Sequence, residues 1–225
     1  VTEESAMPTS QTFPLPDGYQ PRAHVMPWWL GYLSLSPLRR LLDRPQQLLS
    51  PHIKAGDTVL EAGPAMGFHT LPLAEMVGAD GRVVAVDCQE KMLEHLRRRA
   101  ARRRLDERIE TRHCSPQSLG VGDLAGRVDA ALAMHVVHES PDPERMIGEL
   151  ARALRPGGRL VLAEPRDHVK REVFLWEYGL CREAGLVAVD WPRRPRQMVV
   201  VMEKPAEQKP AGPGTDAPDD LTPAA

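Results

Sequence analysis

At 225 residues the chain is long enough for one well-buried domain and short for two. Its 29 Lys and Arg against 31 Asp and Glu leave a formal net charge of −2, which excludes a whole-molecule field aimed at nucleic acid or an anionic membrane. Three cysteines, Cys88, Cys114 and Cys181, form no C-x-x-C pair and are odd in number, which argues against a closed disulfide framework and for a reducing cytoplasm.

Residues 1–27 carry five prolines and no sustained periodicity, the pattern of an extended or flexible arm rather than a packed element. The sequence opens without the basic and then apolar order of a secretory leader, and no run is long and apolar enough for a membrane span, so a cytoplasmic protein is expected. The next stretch, His24 to Tyr32, concentrates Trp28 and Trp29; it could serve as a flap over a ligand crevice, although simple burial of the two rings is the plainer reading. Ser36 followed by Pro37 starts a predicted helix, and Pro45 restarts a second one through Leu48 and Leu49. Together, residues 28–55 read as a helical cap on a domain that runs to residue 204.

From Gly56 the pattern alternates strand and helix. Thr58–Ala62 is a buried strand, Gly63–Gly67 a tight turn, and Phe68 to Met76 a helix. Arg82–Asp87 is the second strand, Glu90 to about Arg104 a long helix, Ile109–Cys114 a third strand and Val128–Val137 a fourth. Asp142 and Pro143 supply a cap and a first-turn proline for a helix that Arg155-Pro-Gly-Gly158 should stop. Arg159–Glu164 is the fifth strand, Glu172 to about Ala184 a helix, and Leu186–Trp191 and Gln197–Glu203 the last two strands. Strands separated by helices need crossovers, so the sheet should be mostly parallel with helices on both faces; the short connection between the last two strands makes that pair antiparallel. The tail, 205–225, has five prolines and four acids against one lysine and reads as disordered.

Ligands of open parallel sheets bind beyond the carboxyl ends of the strands. Here those ends are Glu61 to Gly63, Asp87 and Cys88, Cys114 and Ser115, Met134 to Glu139, and Glu164 and Pro165. Asp87 falls 20 residues after Gly67, where a carboxylate can accept both hydroxyls of a ribose, which points to a nucleoside. A dinucleotide fingerprint counted from Gly63 would need glycine at Ala65 and Phe68, so a nicotinamide-dependent oxidoreductase is disfavoured.

What stands there instead, Glu61-x-Gly63-x-Ala65-x-Gly67, resembles the first motif of the class I S-adenosylmethionine-dependent methyltransferases. The resemblance continues through Gly81–Asp87, Val128-Asp-Ala-Ala-Leu132 and Leu154–Leu160, and covers residues 50–204. It implies a Rossmann-like α/β fold with a seven-stranded sheet in the order 3-2-1-4-5-7-6, a bound S-adenosylmethionine, and methyl transfer to a small molecule. By the same resemblance Glu61 would accept from the cofactor's ammonium, directly or through water. Gly63, Ala65 and Gly67 would pass the backbone along its methionine portion, and Asp87 would hold the ribose. Cys88 and Met92 would flank the adenine, Ser115 and Gln117 would lie near its amine, and Met134 and His135 would floor the site beside the methyl group. Ala65 departs from the usual second glycine, and a Cβ at a left-handed position would strain the turn. That departure motivates an alternative: a catalytically weak or inactive protein that binds S-adenosylmethionine or S-adenosylhomocysteine.

Displacement at a sulfonium needs no protein nucleophile; if the acceptor must lose a proton, His138 and Glu139 are the best-placed bases, with His69 and His135 as rivals. His135-Val-Val-His138-Glu139 matches neither zinc-protease motif, so no metal is expected. Arsenite as acceptor is disfavoured because Cys88 and Cys114 occupy cofactor positions and Cys181 lies on a distant helix. The Arg97–Arg104 run lies on a helix whose other face carries Leu93 and Leu96, so a solvated face is favoured over RNA binding.

Overall fold

A computed structural model describes residues 13–20 and 44–206. The Trp28 and Trp29 segment, the helix expected from Ser36 and residues 207–225 of the tail lie outside them. Seven strands, β1 (Thr58–Ala62), β2 (Arg82–Asp87), β3 (Ile109–His113), β4 (Val128–Met134), β5 (Leu154–Pro165), β6 (Val187–Asp190) and β7 (Gln197–Glu203), form one sheet in the order 3-2-1-4-5-7-6. The first five pair in parallel, and β7 runs antiparallel to both β5 and β6, as the short final connection demands.

The side-chain period of two divides the core. Leu60, Ala62, Val84 and Val86 pack on one face with α4 (Pro143–Ala153) and α5 (Arg171–Glu183). Val59, Val83 and Ala85 pack on the other with α1 (Pro45–Leu49), α2 (Thr70–Met76) and α3 (Glu90–Arg102). Both faces are covered, which is why the central strands read as unbroken apolar runs. α3 buries Met92, Leu93, Leu96 and Ala100, a helical stripe; Arg99 donates to the Met66 carbonyl, while Arg97, Arg98 and Arg102 turn outward. There Arg97 pairs with Glu90 at 2.6 Å and Arg103 with Glu75 at 3.3 Å, so the basic run is laced to carboxylates on a solvated face. At the start of α4, Asp142 accepts from the Arg145 amide at 3.0 Å, the cap that its position before Pro143 indicates.

Three local expectations are corrected. β4 ends at Met134 and not at Val137, because His135 adopts φ +59° and swings the chain into a single 3-10 turn over Val137–Glu139. β5 begins at Leu154, so Arg155 to Gly158 lie within the strand: the register shifts opposite Val128 and Ala130, and the Gly157 amide and Gly158 carbonyl bond to Lys204. Residues 13–20 lack regular structure yet are packed, with the Phe13 ring 5.3 Å from Tyr178 and Tyr19 5.6 Å from Trp176. Aromatic burial on the outer side of α5 outweighs the proline-rich character of this part of the arm.

Candidate functional site

Register aligns the strand ends. Ala62 pairs with Val86 on one side and Ala133 on the other, so Gly63, Asp87 and Met134 emerge along one edge of the sheet. Between β1 and β4 the strand order reverses, and the crevice that opens there is the place where sheets of this kind take ligands. A cavity of about 610 Å³ occupies it. That is within the size range of small-molecule and cofactor sites.

The turn after β1 is shaped by three left-handed residues, Gly63 at φ +64°, Ala65 at +48° and Gly67 at +84°. This conformation turns the Ala65 amide toward Asp87 Oδ2 at 3.1 Å, while Oδ1 of the same carboxylate accepts from the Gln89 amide at 2.8 Å. Each oxygen keeps a further lone pair, so Asp87, lining the cavity and only 7% exposed, can also accept from a vicinal diol. Burial pushes its carboxyl up to about 6, against the pull of the two amides. Ala65 carries the cost of that turn. An L side chain in this region costs about 1–2 kcal/mol. Ala65→Gly should therefore raise the stability by about 1 kcal/mol, a rise of about 2–4 °C in the thermal midpoint, and should tighten S-adenosylmethionine binding. A scan with an unchanged midpoint would show that the turn does not strain Ala65.

Asp87, Cys88, Met92, Ser115, Gln117, Met134, His135, His138 and Glu139 all line the same cavity with Gly63 and Ala65. The geometry thus gathers residues spread over more than seventy positions. Glu61 and Gly67 are placed differently. Glu61 lies behind the wall on the α2 side, 1% exposed, with Oε2 buried and lacking a hydrogen-bond partner. Burial first, then the Asp87 charge, push its carboxyl up to about 7. Gly67 serves the turn itself, since its φ of +84° would strain any L side chain and a Cβ there would also crowd Leu96 Cδ1 at 2.4 Å. The open lone pairs of Asp87 at the cavity fit the ribose hydroxyls that S-adenosylmethionine would present.

Beyond β4 the site has features that the sequence pattern did not single out. The buried Glu164, at the end of β5, accepts from the Val137 and His138 amides with Oε1 at 3.1 and 3.3 Å. Its Oε2 lies 2.6 Å from His138 Nδ1. His168 packs edge-on against His138, with ring centroids 5.1 Å apart. Asp142, Met146 and Asp167 complete this side of the cavity. Glu164 was visible as a strand end, but nothing local tied it to His138; only the adjacency of β4 and β5 does. Among the described residues no cluster of His, Cys, Asp and Glu could hold a metal ion, and no helix is long and apolar enough to cross a membrane.

This architecture, a 3-2-1-4-5-7-6 sheet with its crevice at the β1–β4 reversal, is the Rossmann-like methyltransferase fold. Residues 60–162 match the family model of a methyltransferase domain. The chain is 33% identical over 109 residues to an arsenite methyltransferase of Halobacterium salinarum, covering 48% of this chain and 27% of that protein. It is 31% identical over 125 residues to the 27-O-demethylrifamycin SV methyltransferase of Amycolatopsis mediterranei, covering 56% and 44%. The chain thus spans less than half the length of these relatives. A methyltransferase structure from Aquifex aeolicus superposes with a TM-score of 0.71 at 23% identity, over 80% of this chain and 100% of that one. Over residues 60–162 the chain is similar to the methyltransferase-domain family, and its fold is that of the class I S-adenosylmethionine-dependent methyltransferases.

Proposed function

We propose that the chain is a cytoplasmic methyltransferase that moves the methyl group of S-adenosylmethionine to a small-molecule acceptor by direct displacement. The observation that carries this reading is a single cavity lined both by the nucleoside-side residues Ala65, Asp87 and Ser115 and by His138, Asp142 and His168 beyond β4. When bound, S-adenosylmethionine supplies an electrophilic methyl group on a positively charged sulfur. The protein's task is then to align the acceptor and exclude water. Asp87 would hold the ribose, Cys88 and Met92 would flank the adenine, Ser115 and Gln117 would lie near its amine, and Met134 and His135 would floor the site beside the methyl group. Burial pushes the Cys114 thiol up to about 12 and raises Cys88, so both serve as neutral wall groups rather than as nucleophiles.

The left-handed Ala65 favours one second reading, a protein that binds the cofactor without turning it over. Product formation separates the two. Incubation with methyl-labelled S-adenosylmethionine and a panel of phenols, alcohols, amines and quinols should give label in an acceptor together with equimolar S-adenosylhomocysteine. Tight binding with no labelled product across the panel would favour the second reading.

A further inference from the structure

We infer that the acceptor is an uncharged hydroxyl compound whose proton passes to His138 Nε2, with Glu164 as the residue that positions the imidazole; this rests on the methyltransferase reading above. His138 is 4% exposed and lines the cavity. With Nδ1 held 2.6 Å from a carboxylate oxygen, the ring proton sits on Nδ1 and the lone pair on Nε2. Nε2 is buried and makes no hydrogen bond among the described residues; the nearest carboxylate oxygen, on Glu139, is 3.9 Å away. A buried ring nitrogen without a partner is costly, and a hydroxyl donor in the cavity would satisfy it.

The wiring behind the ring is specific. Glu164 uses one oxygen for two backbone amides of the 3-10 turn and the other for His138, so the carboxylate fixes both the loop that carries the ring and the ring's orientation. A second fully buried carboxyl, Glu177 on α5, has neither oxygen bonded. Burial and then the Glu164 charge hold it well above the ordinary carboxylate range, so it stays protonated.

The charge of the cavity selects the class of acceptor. Asp87, Glu139, Asp142 and Asp167 line it, and among the described lining residues there is no Lys or Arg. A carboxylate or phosphate acceptor would meet these acids with no cation among the described lining residues to pair with. An amine would enter as its ammonium, and the same acids would hold it in that form, which has no lone pair for attack. A neutral hydroxyl avoids both penalties and uses the base that the site presents. In the step itself the O–H bond breaks and its proton goes to Nε2, while an oxygen electron pair forms the bond to the methyl carbon. The carbon–sulfur bonding pair stays on sulfur, leaving a neutral thioether. The imidazolium so formed is paired with Glu164 at Nδ1 and faces Glu139 at Nε2 until it passes the proton to water.

The test uses the full chain, wild type and the variants His138→Gln, Glu164→Gln and Glu164→Asp. Calorimetry with S-adenosylmethionine, turnover with matched phenols, primary amines and benzoates, and nitrogen-15 histidine spectra are recorded on each. Wild type should methylate phenols and neither of the other sets. His138→Gln should lose turnover by about 10²–10⁴-fold, the contribution of a general base, with cofactor affinity within about two-fold of wild type. Glu164→Gln should lose the downfield Nδ1–H resonance of the ring and shift the acid limb of the rate profile; Glu164→Asp should restore part of both. Turnover of amines alone, full activity in His138→Gln, or an unaltered Nδ1–H resonance in Glu164→Gln would overturn the inference while leaving the methyltransferase reading intact. Failure of wild type to bind S-adenosylmethionine would overturn both.

Discussion

Asp87→Ala is expected to lower the affinity for S-adenosylmethionine by at least about 10²-fold. A hydrogen bond to a charged group is worth about 1.5–3 kcal/mol, and the carboxylate is placed to make one with each ribose hydroxyl. The same substitution leaves the Ala65 and Gln89 amides without their acceptors, so the turn that shapes the site loses its anchor as well. The pH dependence follows from the buried carboxyl. Because burial moves Asp87 up to about 6, the charged, accepting form is fully present above that pH and is lost as the pH falls through it. Wild-type affinity should weaken below about pH 6 and the Asp87→Ala affinity should lose that dependence. Calorimetry across this range checks both, and equal affinities for the two proteins would place the ligand elsewhere.

Gly63→Ala is expected to cost about 2–5 kcal/mol of stability, part from the backbone and part from crowding. Gly63 sits at φ +64°, and a Cβ there would lie 2.5 Å from Val136 Cγ2 and 3.0 Å from its Cβ. Such a loss is a large part of the 5–15 kcal/mol typical of a whole domain. Val136 cannot simply retreat, because it lies between the left-handed His135 and the turn that carries His138. The double variant Gly63→Ala with Val136→Ala should recover the crowding part and none of the backbone part. Denaturant melts of the four proteins measure the two contributions separately; an additive cycle would mean that Val136 does not constrain Gly63.

The strand–helix alternation and the glycine pattern of residues 58–67 carried most of the fold, because a sheet buried on both faces writes itself as apolar runs and a tight turn needs its glycines. The boundaries that failed, at Val137 and at Arg155, failed where tertiary bonds overrode local pattern. His135 turns left-handed to feed the 3-10 turn, and Pro-Gly-Gly is kept in the sheet by Lys204. In the site, Asp87 was legible because a single residue at a strand end carries its position. The partnership of His138 with Glu164 was not, since 26 residues separate them and only the pairing of β4 with β5 brings them together. Phe13 shows the same limit from the other side: its contact with Tyr178 spans nearly the whole domain, and nothing in the proline-rich arm announces it.

Calorimetric titration of the chain with S-adenosylmethionine at neutral pH, repeated with Asp87→Ala, tests the cofactor site most directly. Wild type should bind saturably and one-to-one, and the variant about 10²-fold or more weakly. No heat with wild type, or equal affinity in the two proteins, would contradict a cofactor held at Asp87.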